Sequence, residues 1–185
     1  NNTSSVSQII NVNDTVAPVA PEAPASITAT CHGDVPPMIS LTATDNCSGA
    51  ITAQGIDTTV AGSCPNSFTV TRTWTFTDAC NNTSSVSQTI SVGDTLAPVV
   101  PEAPTTLNVT CADEVPATIS LTATDNCSGA ITAQGIDTTV AGSCPNSFIV
   151  TRTWTFTDAC NNTSSVSQII NVNDTVAPVA PEAPA

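Results

Sequence analysis

The sequence is poor in basic and aromatic side chains. Among 185 residues there are only two basic residues, counting Lys and Arg together, and the aromatic residues are two Trp and four Phe, with no Tyr. The two bases are Arg72 and Arg152, and they face 15 acidic residues, giving a formal net charge of −13. Binding to nucleic acid or to an anionic membrane surface requires clustered Lys and Arg, so we expect neither partner. No stretch reaches the roughly 18 apolar residues of a membrane span, and we expect no membrane insertion.

Groups for catalysis are scarce as well. The single histidine, His32, is replaced by Ala112 at the equivalent position 80 residues later, and lysine is absent. The many Ser and Thr side chains have no nearby base to activate them. We therefore expect a protein that is not an enzyme.

Internal repetition dominates what is present. Residues 39–80 recur as 119–160 with one change, Thr69 to Ile149, at a period of 80 residues. Residues 1–25 return without change at 161–185. We interpret the chain as a window on a longer tandem array. The predicted division is 1–14, the last strand of a preceding repeat; 15–94 and 95–174, two complete repeats; and 175–185, the linker and first strand of a following repeat.

The local pattern within one repeat is that of strands and turns. Residues 68–77 alternate apolar or basic with Thr at a period of two, and 39–44 alternate in the same way. Segments 26–31, 50–56 and 85–92 supply three further strands, and the proline-rich 97–104 serves as linker and first edge strand. We predict an all-β fold of tandem immunoglobulin-like β-sandwich repeats that form an extended rod, in preference to a β-helix. By parity Trp74 and Arg72 face the core, where Arg72 needs Asp57 or the Trp74 ring as a partner.

Each repeat contains four cysteines, an even number that indicates disulfides and an oxidising, extracellular environment. Zinc is a weaker alternative, because no Cys-x-x-Cys pair occurs. In an immunoglobulin-like sandwich, the loops of the first and third cysteines lie at one end, and those of the second and fourth lie at the other. The topology therefore predicts the pairs Cys31–Cys64, Cys47–Cys80, Cys111–Cys144 and Cys127–Cys160.

Three segments carry a family resemblance. The runs at 43–49, 75–83 and 92–98 resemble hyalin-type (HYR-like) immunoglobulin-fold repeats, in particular the tandem repeats of giant surface adhesins of gliding bacteria. The resemblance implies type IX secretion, a filament on the bacterial cell surface, and a role in adhesion or gliding motility. Asn81 stands where such repeats often have Gly, and Asn tolerates the left-handed turn that this position implies.

Acidic residues suggest a calcium site at the joint between repeats. The linker acids Asp94 and Glu102 precede loops that carry Asp125 and Asp158, and hard cations favour such oxygen ligands. Ordinary capping of turns by Asp is the alternative. No other cofactor is expected.

Asp-Thr pairs suggest O-glycosylation, because the resembled bacteria attach O-linked glycans to an Asp-Ser/Thr-apolar pattern. We expect each acceptor to lie in an exposed linker or turn. The candidates are Thr15, Thr58, Thr95, Thr138 and Thr175.

These observations predict a structural stalk segment of a giant extracellular adhesin. Its partners are neighbouring repeats of the same chain, with surface glycans or the substratum bound through a distal region. A repeated module that binds glycans or partner cells by avidity is one alternative, and a self-assembling sheath protein is another.

Overall fold

The computed structural model describes residues 1–182, and β-strands are its main regular elements. No α-helix occurs in this range, and two short 3₁₀ turns span His32–Asp34 and Ala112–Glu114. The end of the predicted segment 175–185 (residues 183–185) lies outside the described residues. The strands are β1 Ile27–Ala29, β2 Ser40–Asp45, β3 Gly49–Gln54, β4 Ile56–Ala61, β5 Ser67–Thr77, β6 Thr83–Gly93, β7 Leu107–Val109, β8 Ser120–Asp125, β9 Gly129–Gln134, β10 Ile136–Ala141, β11 Ser147–Thr157 and β12 Thr163–Asn173.

The chain divides into two compact units that do not follow the sequence repeats everywhere. The first contains residues 1–29, 33–62 and 68–92. The second contains the described residues from 93 onward together with two short segments of the first repeat, 30–32 and 63–67. Both of these short segments contain a cysteine, Cys31 in one and Cys64 in the other.

Each unit has a four-stranded and a two-stranded sheet. In the first unit the larger sheet has the order β1-β6-β5-β4, and β2 pairs with β3 in the smaller one. Strand β1 runs parallel to β6, whereas β4 is antiparallel to β5. In the second unit β7, β12, β11 and β10 form the corresponding sheet, and β8 pairs with β9. The expectation of two all-β, immunoglobulin-like sandwich repeats is confirmed.

The core lies where the long strand β5 packs on the smaller sheet. Trp74 and Phe76 are fully buried together with Ala43 of β2. The indole Nε1 of Trp74 donates a hydrogen bond of 2.8 Å to the Ile39 carbonyl, so its polar atom is satisfied inside the core. The alternation of β5 therefore predicts correctly which side chains point inward.

One strand departs from the sequence prediction. Residues 50–56 were expected to form a single strand, but β3 ends at Gln54 and a new strand begins at Ile56. All six residues of β4 are exposed, because β4 is an edge strand of the larger sheet. A strand with no buried face has no alternating hydrophobic pattern, so the period-two signal could not reveal it.

Two connecting features agree with the sequence argument. Asn81 and its equivalent Asn161 both have φ = 66°, the left-handed conformation that Asn tolerates. In the proline-rich linker, Val99 forms an isolated antiparallel bridge with Thr124 of β8, with a Val99 N to Thr124 O distance of 2.7 Å. The segment thus contributes a short edge to the smaller sheet.

Candidate metal centre and cysteine sites

Three aspartates from separate loops converge in the second unit. Asp94 follows β6, Asp125 ends β8, and Asp158 follows β11. Each offers a carboxylate oxygen, and these atoms all lie within 4.8 Å of one another. Asp94 and Asp158 are buried, with 6% and 7% of their surface exposed. Three of the four residues proposed for calcium from the sequence therefore come together.

Short turns fix the direction of two of these carboxylates. Asp125 Oδ1 accepts hydrogen bonds from the backbone N–H groups of Cys127 at 3.0 Å and Ser128 at 2.6 Å. Asp158 Oδ1 accepts from the N–H groups of Cys160 and Asn162, both at 2.8 Å. Asp caps its own turn in each case, as the alternative reading expected, and this leaves the second oxygen of each carboxylate for another role.

The second oxygens differ in what they contact. Asp158 Oδ2 accepts a hydrogen bond of 2.7 Å from the Asn162 side chain, and the same amide nitrogen reaches the Asp94 carbonyl at 3.2 Å. By contrast, Asp94 Oδ2 and Asp125 Oδ2 are buried without a hydrogen-bond partner. A buried carboxylate oxygen with no donor carries a large desolvation cost.

The same centre occurs in the first unit, where sequence reasoning did not name it. Asp14, Asp45 and Asp78 stand 80 positions before the three residues above, and their carboxylate oxygens also lie within 4.8 Å of one another. Asp14 Oδ2 and Asp45 Oδ2 are again buried and unpartnered. The 80-residue period was the signal that could have identified this set.

Glu102 was expected at this site, but it is exposed and is not part of the group of three. It lies in the linker after the bridge at Val99, eight positions beyond Asp94. Its inclusion in the predicted calcium site is therefore wrong.

The ionisation of the buried turn aspartates is set by opposing effects. Burial acts to raise the pKa of Asp158, but hydrogen bonds from the Asn162 side chain and from backbone N–H groups act to lower it, and the net pKa is lowered. The pKa of Asp78 is lowered in the same way by Asn82 and Cys80. Both side chains are thus held in the charged form that a cation ligand requires.

The observed disulfides differ from the predicted ones. Cys31 is bonded to Cys127 and Cys64 to Cys160, with Cα–Cα distances of 5.3 and 5.1 Å. Each bond joins the first sequence repeat to the second, and all four of these cysteines lie in the second compact unit. The remaining thiols are free and exposed: Cys47, Cys80, Cys111 and Cys144.

This pairing corrects the prediction. The prediction places both partners of each bond in one repeat, whereas the bonded partners belong to different repeats. A disulfide needs Cα atoms about 4.4–6.8 Å apart, and Cys127, whose Cα lies 5.3 Å from that of Cys31, belongs to the other repeat. Since each sulfur forms one such bond, the observed pairs replace Cys31–Cys64 and Cys127–Cys160, while Cys47–Cys80 and Cys111–Cys144 are not formed.

The five candidate glycosylation sites are all exposed: Thr15, Thr58, Thr95, Thr138 and Thr175. Thr58 and Thr138 nevertheless lie inside the edge strands β4 and β10 rather than in turns. Thr138 also donates a hydrogen bond of 3.3 Å to the Thr151 carbonyl. The expectation of exposure is met, whereas the expectation of a turn is wrong for these two.

The fold and the bonded cysteines define a class of protein, a tandem β-sandwich repeat module. Within residues 1–182 no helix has the length and apolar character needed to cross a membrane. A family model described as "HYR-like domain with 4 cysteines" matches residues 18–92 and 99–172.

The chain belongs to this family. The tandem HYR-like repeats and the disulfides indicate a non-catalytic, extracellular or surface module of adhesion type. No curated protein matches the chain.

Proposed function

We propose that the chain is a stalk segment of a giant adhesin on a bacterial surface, exported by type IX secretion and serving adhesion or gliding motility, similar to the gliding-motility adhesin SprB. In this role the repeats hold a distal binding region away from the cell or transmit force along a filament. The proposal refines the adhesion-type module that the family match indicates.

The observation that carries the proposal is the near-identity of exposed surface in the two repeats. Residues 39–80 and 119–160 differ at one position, although most side chains in β3 and all in β4 are exposed. Packing does not constrain such positions, and a repeat that recognises a distinct partner would need distinct loops. A stalk requires only that each copy folds and joins to the next.

The charge supports separate rather than laterally associated chains. A net charge of −13 with two basic residues gives a surface on which like charges repel. The ion pairs of Arg72 with Asp57 and of Arg152 with Asp137 engage both guanidinium groups within the fold. This favours a stalk over a sheath built from many contacting chains.

Surface modification fits the same role. The five exposed threonines named above offer hydroxyls for O-linked glycans, and glycans would add bulk and protease resistance to a filament. Intact-mass measurement of the chain from its native source checks this. Mass increments that disappear in a Thr15→Val, Thr95→Val and Thr175→Val variant support glycosylation at these sites.

Two measurements test the stalk against a binding module. A glycan array probed with the isolated chain at micromolar concentration should show no binding, whereas a binding module should bind one class of glycan. Small-angle scattering of the same sample should give a maximum dimension well above that of a compact globule of 18.7 kDa. A compact particle, or selective glycan binding, overturns the proposal, and large assemblies in sedimentation would favour a sheath.

A further inference from the structure

We propose that each repeat binds one calcium ion, at Asp94, Asp125 and Asp158 in the second unit and at Asp14, Asp45 and Asp78 in the first. The ligands are carboxylate oxygens, the donor type that calcium prefers. This inference concerns a site within a single unit and does not depend on the stalk proposal.

Distances support an ion of this size. Two oxygens bound to one calcium ion at about 2.3–2.6 Å lie at most about 5 Å apart. The carboxylate atoms of each group lie within 4.8 Å of one another, a separation compatible with three ligands of a single calcium ion.

The hydrogen bonds made by these carboxylates support a calcium site independently. Asp94 is 6% exposed and its Oδ2 has no partner, and Asp125 Oδ2 is also buried without one. The other oxygens of these residues are occupied: Asp94 Oδ1 by the Leu96 N–H at 3.3 Å, and Asp125 Oδ1 by two backbone N–H groups. The unpartnered oxygens are therefore the ones left to bind a cation.

Neither arginine is available to neutralise these carboxylates. Both basic side chains of the protein are engaged elsewhere, Arg72 with Asp57 and Arg152 with Asp137. Three carboxylates at short distance repel one another strongly when buried. A divalent cation removes that repulsion and satisfies the open oxygens in one step.

Isothermal titration calorimetry of the full chain with calcium chloride, after treatment with EDTA, tests the proposal. Asp94→Asn removes one ligand oxygen but keeps the Oδ1 that caps Leu96, and Asp14→Asn does the same for Val16. We expect two ions per wild-type chain, one for either variant and none for the double variant. Asp113→Asn removes one negative charge in the same way, but at an exposed position. This control variant should still bind two calcium ions.

Thermal unfolding provides a second readout on the same samples. Calcium should raise Tm for the wild type and for Asp113→Asn, and should have no effect on the double variant, because only a ligand that binds the folded state stabilises it. No heat and no shift in Tm at several millimolar calcium would overturn the proposal. Equal stoichiometry in all variants would do so as well, since it would place any bound ions elsewhere.

We also infer, from the cysteines alone, that the four free thiols form disulfides with another repeat of this sequence type. The bonded pairs join the first and third cysteines of one repeat to the second and fourth of the next. The free thiols are the complementary set. They are the second and fourth cysteines of the first repeat, Cys47 and Cys80, and the first and third of the second repeat, Cys111 and Cys144.

The expected bonds follow from the period. Cys111 is equivalent to Cys31, and Cys47 is equivalent to Cys127, so Cys111 of one copy should bond to Cys47 of another, and Cys144 to Cys80. Each bond forms from two thiols with loss of two protons and two electrons. A disulfide oxidant such as oxidised glutathione takes up the electrons and is reduced to two thiols.

Complementary variants test this with the chain as it exists. Cys47→Ser/Cys80→Ser keeps one free pair and Cys111→Ser/Cys144→Ser keeps the other, and neither change touches an observed disulfide. In a glutathione redox buffer, an equimolar mixture should give a covalent dimer on a non-reducing gel, at twice the 18.7 kDa of one chain. Each variant alone should remain monomeric, and the variant lacking all four thiols should remain so in any mixture.

Several outcomes would overturn the inference. If either variant alone formed dimers to the same extent as the mixture, the oxidation would be unselective. Loss of free thiols without any dimer and without the added mass of bound glutathione would show bonding within a repeat, as in Cys47–Cys80. If the thiols stayed free in the oxidised mixture, the proposed disulfides between copies would not form.

Discussion

Arg72 holds Asp57 through two parallel hydrogen bonds, of 2.7 Å from Nε to Oδ1 and 2.9 Å from Nη2 to Oδ2. The guanidinium is buried, with 3% of the residue exposed, whereas the Asp57 side chain is 30% exposed. The pair connects β5 to the edge strand β4. Arg152 and Asp137 repeat the arrangement in the second unit. Of the two partners expected for Arg72, the carboxylate is confirmed.

Removing the Asp57 carboxylate should lower the free energy of unfolding by more than the partial exposure of this side chain suggests. In Asp57→Ala the buried Arg72 keeps its charge and retains only the Pro37 carbonyl, 3.1 Å from Nη1. We expect the free energy of unfolding to fall by about 2–4 kcal/mol, because an uncompensated buried charge is strongly destabilising. Urea denaturation followed by tryptophan fluorescence measures it. Asp113→Ala, an exposed control, should change stability little, and an equal effect of both variants would contradict the prediction.

Acid should weaken the fold through the same ion pairs. The hydrogen bond from Arg72 lowers the pKa of Asp57 below its ordinary 3.8, against the raising effect of burial, and Arg152 does the same for Asp137. A carboxyl whose pKa is lower in the folded state stabilises the protein above its unfolded-state pKa, and this stabilisation is lost as the pH falls through the folded-state pKa. Asp78, Asp158 and Glu114 act in the same direction.

We therefore expect the free energy of unfolding to be nearly constant between about pH 7 and 5 and to fall below about pH 4. Denaturant titrations at stepwise lower pH measure it. The decrease should be smaller in Asp57→Ala, which has lost one of the responsible groups. A variant that loses stability with acid as steeply as the wild type would assign the effect to other carboxyls.

The features that could be predicted from the sequence are those set by residues close together along the chain. The alternation in 68–77 places Trp74 and Phe76 in the core, and the observed burial agrees. Asn81 adopts the positive φ that its place in the turn implied. Both features depend on neighbouring residues along the chain, so a single sequence contains them.

Other features depend on which segments meet in space. The edge strand β4 has no buried face and hence no pattern. The partner of Cys31 stands 96 residues away in the other repeat, and periodicity within one repeat contains no information about it. The aspartate group of the second unit was predicted in part, since turns can be read locally, but the fold was needed to exclude Glu102 from it.

Gly55 lies where no side chain fits. A Cβ atom there would come within 2.7 Å of Met38 Sδ, 2.9 Å of Arg72 Cγ and 3.0 Å of Trp74 Cε2. Trp74 is fully buried and Arg72 is fixed by Asp57, so neither can move away easily. We expect Gly55→Ala to lower the free energy of unfolding by about 1–3 kcal/mol, the usual cost of overpacking.

Gly33→Ala is the matched control for this change, because nothing lies within 4 Å of a Cβ at Gly33 and its φ is not in the left-handed region. It should leave stability unchanged or raise it slightly, since Ala restricts the unfolded chain more than Gly does. A Gly55→Ala variant as stable as Gly33→Ala would show that the Met38 and Arg72 side chains yield without cost.

Resistance to trypsin should provide a second measure of the packing around Arg72 and Arg152. Cleavage requires Lys or Arg, and the chain offers Arg72 and Arg152 alone. Both are 3% exposed, and each lies in a strand with neighbours on both sides, β5 between β6 and β4 and β11 between β12 and β10. The native chain should therefore remain intact under conditions in which the unfolded chain is cut, and after reduction of the two disulfides the cut chain should separate into fragments 1–72, 73–152 and 153–185. Rapid cleavage of the native protein at either arginine would contradict the observed strands.

Combining protease with the glycine variant distinguishes local from global opening. When opening and closing are fast relative to cleavage, the cleavage rate follows the population of the open form. A loss of about 1.4 kcal/mol raises that population tenfold. Gly55→Ala should thus accelerate cleavage at Arg72 by the factor that its measured loss of stability predicts, while cleavage at Arg152 stays at the wild-type rate. After reduction of the two disulfides, products 1–72 and 73–185 should appear first. Equal acceleration at both sites would instead show that the two units open together.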